Sequence, residues 1–156
     1  MPLARDHAWL LAHLPHQGRM CLLDAVTGWD TQRIRCTASS HRLADNPLRA
    51  HDRLGAACGI EYAAQAMAAH GALLVAADSA PRAGYLTSVR GVDLQVARLD
   101  DVAADLVVEA ERLSGDDNII LYGFSVAAGE RLLLSGRATV VLDAAVLDAG
   151  KLEDPV

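Results

Sequence analysis

The chain has 156 residues, 52% of them apolar and 22% charged, which is the balance of a folded globular protein and not of a disordered one. That length suits one domain over residues 1–156, burying roughly 70% of its unfolded surface around a core spanning about residues 10–142. A net charge of −6 and 4% aromatic content argue against nucleic acid as a partner, because phosphate binding needs clustered Lys and Arg and single strands need stacking platforms. No apolar run approaches the roughly 20 residues of a membrane span, and the N-terminal stretch MPLARDHAWLLAHLPH is too short and too interrupted by His for a signal peptide. Cys21, Cys36 and Cys58 are an odd, widely spaced set, which fits reduced thiols in the cytoplasm better than disulfides or a zinc site.

In chain order, residues 5–14 form a short predicted helix that stops at Leu14-Pro15, since the residue before proline is pushed out of the helical region. A Gly-containing loop, PHQGRM, leads to a first strand over Cys21–Trp29. After a turn at Asp30–Gln32, Ile34, Cys36 and Ala38 alternate with Arg33, Arg35 and Thr37 as a half-buried strand. His41–Leu54 is a polar loop containing Asn46-Pro47.

Gly55 to about Asp78, GAACGIEYAAQAMAAHGALLVAAD, has the alanine content and length of one long helix with no internal proline. Ile60, Ala63, Ala64, Met67, Gly71, Leu74 and Val75 recur at helical spacing, and the other faces are also mostly Ala. Such a helix is expected to be buried on most sides. Glu61 breaks the pattern, with Gln65 one turn later on the same side. An unpaired carboxylate out of water costs several kcal/mol in effective terms, so this helix is the place to look for chemistry.

Beyond the helix the period changes from 3.6 to 2. Pro81–Gly84 reads as a turn and Tyr85–Ala97 as a long strand with a bulge at Gly91. Ala104–Leu113 places Leu106, Val108 and Ala110 on one face, and Gly115–Asn118 is a hairpin turn. Ile119–Ala127 and Arg131–Leu142 complete the set, joined by the Ala128–Glu130 turn, with Leu132, Leu134, Gly136, Ala138, Val140 and Leu142 facing one way. The tail after Asp143 reads as frayed. Two strands, one long helix and a four-stranded meander make an α+β domain, its antiparallel sheet curled around the helix. An open sheet edge would be closed by a second chain, giving a dimer.

Three segments resemble the hotdog-fold 3-hydroxyacyl-[acyl carrier protein] dehydratases. LPHQGRMCLLDAV at 14–26 is similar to the family's opening LPHRxPxLLxDxV, EYAAQA at 61–66 to its EAxAQ, and GYLTSVRGVDL at 84–94 with LLSGRATVVL at 133–142 to its C-terminal half. The commoner fatty-acid members carry HFPxxPxxPG before the helix, and its His is their base. Here that segment reads NPLRAHDRLGAACG, with His51 ten residues before Glu61. The pattern is closer to the divergent branch associated with aryl-polyene and related polyketide-type biosynthesis, in which His16 of the LPH motif is the expected base.

The resemblance implies a hotdog fold, no metal and no cofactor. It also implies dehydration of a 3-hydroxyacyl chain tethered by phosphopantetheine to an acyl carrier protein. Removing a C2 proton requires a base working near neutral pH, where His is the usual choice. Protonating the departing hydroxyl requires an acid, and desolvation on an apolar helix favours the uncharged form of Glu61. Backbone N–H groups at the helix start, Gly55, Ala56 and Ala57, or at Ser88 and Val89, are candidates for stabilising the thioester oxygen. His51 is a second candidate base, although an inactive loop His is the bland alternative. Gln65 reads as a hydrogen-bond partner of Glu61 or of nearby backbone. His41 is a weaker candidate, as is His70, half a turn round the helix from Glu61 and facing solvent or sheet, while Cys58 reads as packing. Arg82, Arg90 and Arg98 would suit an acidic carrier protein or simply a solvated edge. The competing readings are an acyl thioesterase of the same fold, in which Glu61 activates water, and a non-catalytic subunit of another dehydratase. Either a homodimer or a heterodimer with another hotdog protein is compatible with all three.

Overall fold

The computed structural model describes residues 4–75, 84–116 and 118–142. Helix α1, His7–His13, is capped by Asp6, whose carboxylate accepts the Trp9 N–H at 2.9 Å. It ends at Leu14, before Pro15, as the proline rule requires. Strands β1 (Ala25–Trp29) and β2 (Arg33–Ala38) form a hairpin whose turn is closed by Asp30, its Oδ1 accepting the N–H groups of Gln32 and Arg33. Helix α2 spans Gly59–Leu74, followed by β3 (Tyr85–Leu94), β4 (Leu106–Gly115), β5 (Ile119–Ala128) and β6 (Arg131–Val141). All six strands lie in one antiparallel sheet of order β1-β2-β4-β5-β6-β3, and α2 packs across β2, β4 and β5.

Four expectations change. Cys21–Asp24 is not strand: β1 begins at Ala25, and before it Leu22 is held by the side chains of Gln65 and Ser40, with only the Asp24 N–H reaching β2 at the Thr37 carbonyl. The last four strands are not a plain meander, because β3 pairs with β6 and only β4-β5-β6 run as consecutive neighbours. The long helix begins at Gly59 after a 3₁₀ turn over Ala56–Cys58, while its expected end at 76–78 lies outside the described residues. So do most of the 81–84 turn, Arg82, Asp117 of the hairpin turn and the tail after 142. In β6 a register shift opposite Val126/Ala127 turns Leu132 outward, 44% exposed, and brings Leu133 into the core beside Leu134. The Gly91 bulge is present, with φ +59° and a register shift between Arg90 and Asp93.

The buried face of α2 is Tyr62, Ala63, Ala66, Met67, Ala69 and His70, whereas Ile60, Glu61, Ala64, Ala68 and Gly71 are half-buried. The expected burial on most sides therefore gives way to a two-faced helix, its outward stripe small, apolar and headed by Glu61. The helix start comes unusually close to the sheet. A Cβ added at Gly59 would stand 2.6 Å from Leu134 Cδ2, so any side chain here obliges Leu134 to move.

Two histidines serve the fold. His70 faces the sheet, fully buried: Nε2 donates to the Asp30 carbonyl at 2.8 Å, which leaves Nδ1 to accept the Tyr122 hydroxyl at 2.7 Å. His41, also fully buried, donates from Nε2 to the carbonyls of Val102 and Ala104. Burial pushes both imidazoles below their ordinary titration range. The unfolded chain therefore binds more protons, and stability falls as pH drops below the unfolded value of about 6.5, until the folded-state values are passed. Each such proton contributes at most about 1.4 kcal/mol per pH unit. The melting temperature is expected to decline from pH 7 to pH 5, and to decline less in His70→Gln, whose amide can replace both hydrogen bonds. Equal slopes in the two proteins would refute this assignment.

Candidate active site

His16 is carried by the bend after α1. Leu14 caps that helix, and the Gln17 amide donates to the Leu11 and Leu14 carbonyls, tying the bend to the helix end. Glu61 is the third residue of α2, in its first turn. The two meet directly, with His16 Nε2 3.0 Å from Glu61 Oε1 and their side chains 26% and 36% exposed. The expectation of a deeply buried carboxylate is corrected: Glu61 lies at the surface of this chain, reachable from outside. His16 Nδ1 is buried and has no hydrogen-bond partner among the described residues, so the Glu61 contact is the one that orients the ring.

Gln65 is fully buried and does not touch Glu61. Its Oε1 accepts the Leu22 N–H at 2.9 Å and its Nε2 donates to the Met20 carbonyl at 2.6 Å. Of the proposed backbone donors, the Ala56 N–H is already spent on the Ala97 carbonyl at 3.1 Å, which removes it from the candidates. Gly55 and Ala57 remain in the turn leading into α2. Ser88 and Val89 lie on β3 opposite Thr139 and Ala138, with no hydrogen bond to His16 or Glu61. The helix approach is anchored by Asp100, which accepts from the Leu54 N–H and from the Arg98 guanidinium. The Arg98 hydrogen bond, together with that backbone N–H, holds the Asp100 carboxyl far below the usual carboxylate range. Arg98 is thereby committed within the chain.

His51 is at an exposed turn tip, without a hydrogen bond or ion pair to His16 or Glu61. It and Asp52 have φ of 53° and 61°, between reciprocal backbone hydrogen bonds of Ala50 and Arg53. Two successive left-handed residues make a type I′ turn, for which Asn-Gly is the preferred pair. His51→Asn combined with Asp52→Gly is expected to stabilise the protein by about 0.5–1 kcal/mol, read by thermal melting, and to leave activity intact. Lost activity in that double variant would reinstate His51 as a base.

Sequence reasoning missed a buried polar network beside the site. Ser40 Oγ donates to the Leu22 carbonyl at 2.8 Å, which obliges the Tyr62 hydroxyl to donate to Ser40 at 2.7 Å. The Asn46 amide donates to the Tyr62 oxygen at 3.0 Å and to the Ser40 carbonyl at 2.9 Å. Tyr62, next to Glu61 in an Ala-rich helix, was the available signal, because a buried tyrosine hydroxyl needs a partner. The network fastens Ser40 and Asn46, at the start of the loop that leads to α2, to the helix itself. A neighbouring pocket of about 450 Å³, lined by Leu11, Cys21, Leu22, Ser40, Leu43 and Pro47 among others, includes neither His16 nor Glu61. Among the described residues, no group of three His, Cys, Asp or Glu side chains is placed to hold a metal ion. No helix among them is long and apolar enough to cross a membrane.

The ApeP-like family, described as ApeP dehydratase, matches residues 10–149. No curated protein matches the chain. Among solved structures, the dehydratase heterocomplex ApeI:P from Xenorhabdus doucetiae is similar with a TM-score of 0.79 and 19% identity, over 93% of this chain and 97% of that one. A thioesterase from Haemophilus influenzae is similar with a TM-score of 0.56 and 11% identity, over 84% and 80% of the two chains. A hypothetical thioesterase with coenzyme A from Streptococcus pneumoniae follows at 0.52 and 12%, over 75% and 83%. Those likenesses, all below 25% identity, bear on the fold alone: an antiparallel sheet with one central helix, the hotdog arrangement.

Proposed function

Because the chain belongs to the ApeP-like dehydratase family, we propose that it dehydrates 3-hydroxyacyl thioesters to 2-enoyl products, with the acyl chain carried on the phosphopantetheine of an acyl carrier protein. The observation that carries this reading is the 3.0 Å contact between His16 Nε2 and Glu61 Oε1 in a solvent-accessible position. In the forward step His16 takes the C2 proton and the electron pair moves into the C2–C3 bond. The C3–O bond breaks as Glu61 delivers a proton to the departing oxygen, which leaves as water. Turnover then leaves His16 protonated and Glu61 ionised, and proton transfer across their 3.0 Å contact restores both. The N–H groups of Gly55 and Ala57, at the positive end of α2, are the remaining helix-start candidates for the thioester oxygen. The unpaired Cys21, Cys36 and Cys58 suit the reducing cytoplasm as the place of action.

A hotdog partner chain fits two features. Strand β3 is a ten-residue free edge with Tyr85, Leu86, Val92 and Leu94 at least 37% exposed, and α2 has a half-buried apolar stripe on its outer side. These features, with the likeness to a dehydratase heterocomplex, also favour a second reading: a subunit that completes another dehydratase without doing chemistry itself. The deciding experiment incubates the purified protein with a 3-hydroxyacyl carrier-protein thioester and follows its mass. Loss of water is expected. Release of free acid would make it a thioesterase, while an unchanged substrate until a partner hotdog chain is added, with Glu61→Gln harmless in the complex, would make it the supporting subunit.

A further inference from the structure

We propose that Gln65 is the positioning residue that sets the distance between His16 and Glu61, by clamping the backbone of the loop that carries His16. The proposal deepens the dehydratase reading and rests on it only for its kinetic arm. The 3₁₀ turn over Gly18–Met20 satisfies the N–H groups of Met20 and Cys21, but no strand follows until Ala25, so the Met20 carbonyl and the Leu22 backbone need partners from elsewhere. Gln65 supplies two: it accepts from Leu22 N–H at 2.9 Å and donates to the Met20 carbonyl at 2.6 Å, from a side chain with no exposure. The Leu22 carbonyl is taken by Ser40, which is itself held by Tyr62. Both Gln65 and Tyr62 stand on α2, within about one turn of Glu61. One rigid stretch of helix therefore holds the acid and also the loop bearing its imidazole partner. At its other end the bend is fastened to α1 through Gln17, so His16 sits between two fixed points. The ring itself needs this, because its buried Nδ1 has no hydrogen-bond partner of its own among the described residues.

Gln65→Leu keeps the volume and removes both hydrogen bonds. In the folded variant, kcat is expected to fall on the order of 10²-fold, as for a misplacement of about 1 Å, with KM little changed. The His16 side-chain nitrogen resonances, read by NMR without substrate, are expected to shift as the contact with Glu61 is lost. Ile120→Ala, buried near the start of β5 opposite Val140 and not on the Leu134 contact, controls for destabilisation and is expected to keep both readouts. Ser40→Ala releases the Leu22 carbonyl alone, and smaller changes of the same kind are expected; it stands in for Gln65→Leu should that variant not fold. Wild-type His16 resonances in the folded Gln65→Leu protein, or in Ser40→Ala where that is the variant read, would overturn the proposal. A wild-type protein without turnover overturns the dehydratase reading instead and leaves the resonance test of the clamp standing.

Discussion

Glu61→Gln is expected to lower kcat/KM for dehydration by about 10²- to 10⁴-fold, and His16→Asn by a similar factor, the range for removing one positioned proton-transfer group. The substitutions are nearly isosteric, and both side chains are partly exposed at 26% and 36%, so the fold should tolerate them. The amide introduced by Glu61→Gln would still accept or donate one hydrogen bond to His16 but could not deliver a proton to the departing hydroxyl. The double variant is expected to be little worse than either single one, because groups that act as a unit are strongly non-additive. Full activity in Glu61→Gln, measured by enoyl formation on a carrier-protein substrate, would remove the acid from the mechanism. Deep loss in Glu61→Gln with full activity in His16→Asn would leave the carboxylate working alone, as the one group that both takes the C2 proton and returns a proton to the departing oxygen.

The second large effect is expected where packing sets the site. Leu134 has no exposed surface and lies against the Gly59 backbone, two residues before Glu61. Leu134→Ala is expected to destabilise by about 2–5 kcal/mol through lost burial and a cavity. Gly59→Val drives new methyl groups into Leu134, at a cost of about 1–3 kcal/mol for overpacking, and lifts the start of α2 away from the sheet. That motion carries Glu61 away from His16, so activity should fall in the folded fraction as well. The pair Gly59→Val with Leu134→Ala exchanges volume across one contact. Its total destabilisation is expected to be smaller than the sum of the singles by at least about 1 kcal/mol. Additive denaturation energies would show that the two residues are not coupled.

Much of this organisation was legible along the chain. The period change after the long helix predicted the β-rich second half, and alternation placed Leu106, Val108 and Ala110 inside. Leu14-Pro15 marked the end of α1, and Gly91 the bulge of β3. The LPH and EYAAQA segments picked out His16 and Glu61, which the fold brings within 3.0 Å although 45 positions separate them in sequence. Other features escaped for identifiable reasons. A run such as CLLDAV has the apolar content of a strand, but within Cys21–Asp24 the Leu22 backbone takes both its partners from the side chains of Gln65 and Ser40, which lie far along the chain. Periodicity cannot see a register shift, so it turned Leu132 inward and overlooked Leu133.

Local pattern alone determined which residue types sit on which element: an Ala-rich helix with one carboxylate, alternating strands, and a histidine just after a helix-ending proline. Those are short-range consequences of sterics and of burying apolar side chains. Tertiary structure decided strand order, with β3 set beside β6, the half-exposed position of Glu61, and the fastening of the His16 loop by Gln65, Ser40 and Tyr62. Each of these depends on contacts between distant segments, whose partners are selected by unsatisfied hydrogen-bonding groups and by close packing once the chain has folded.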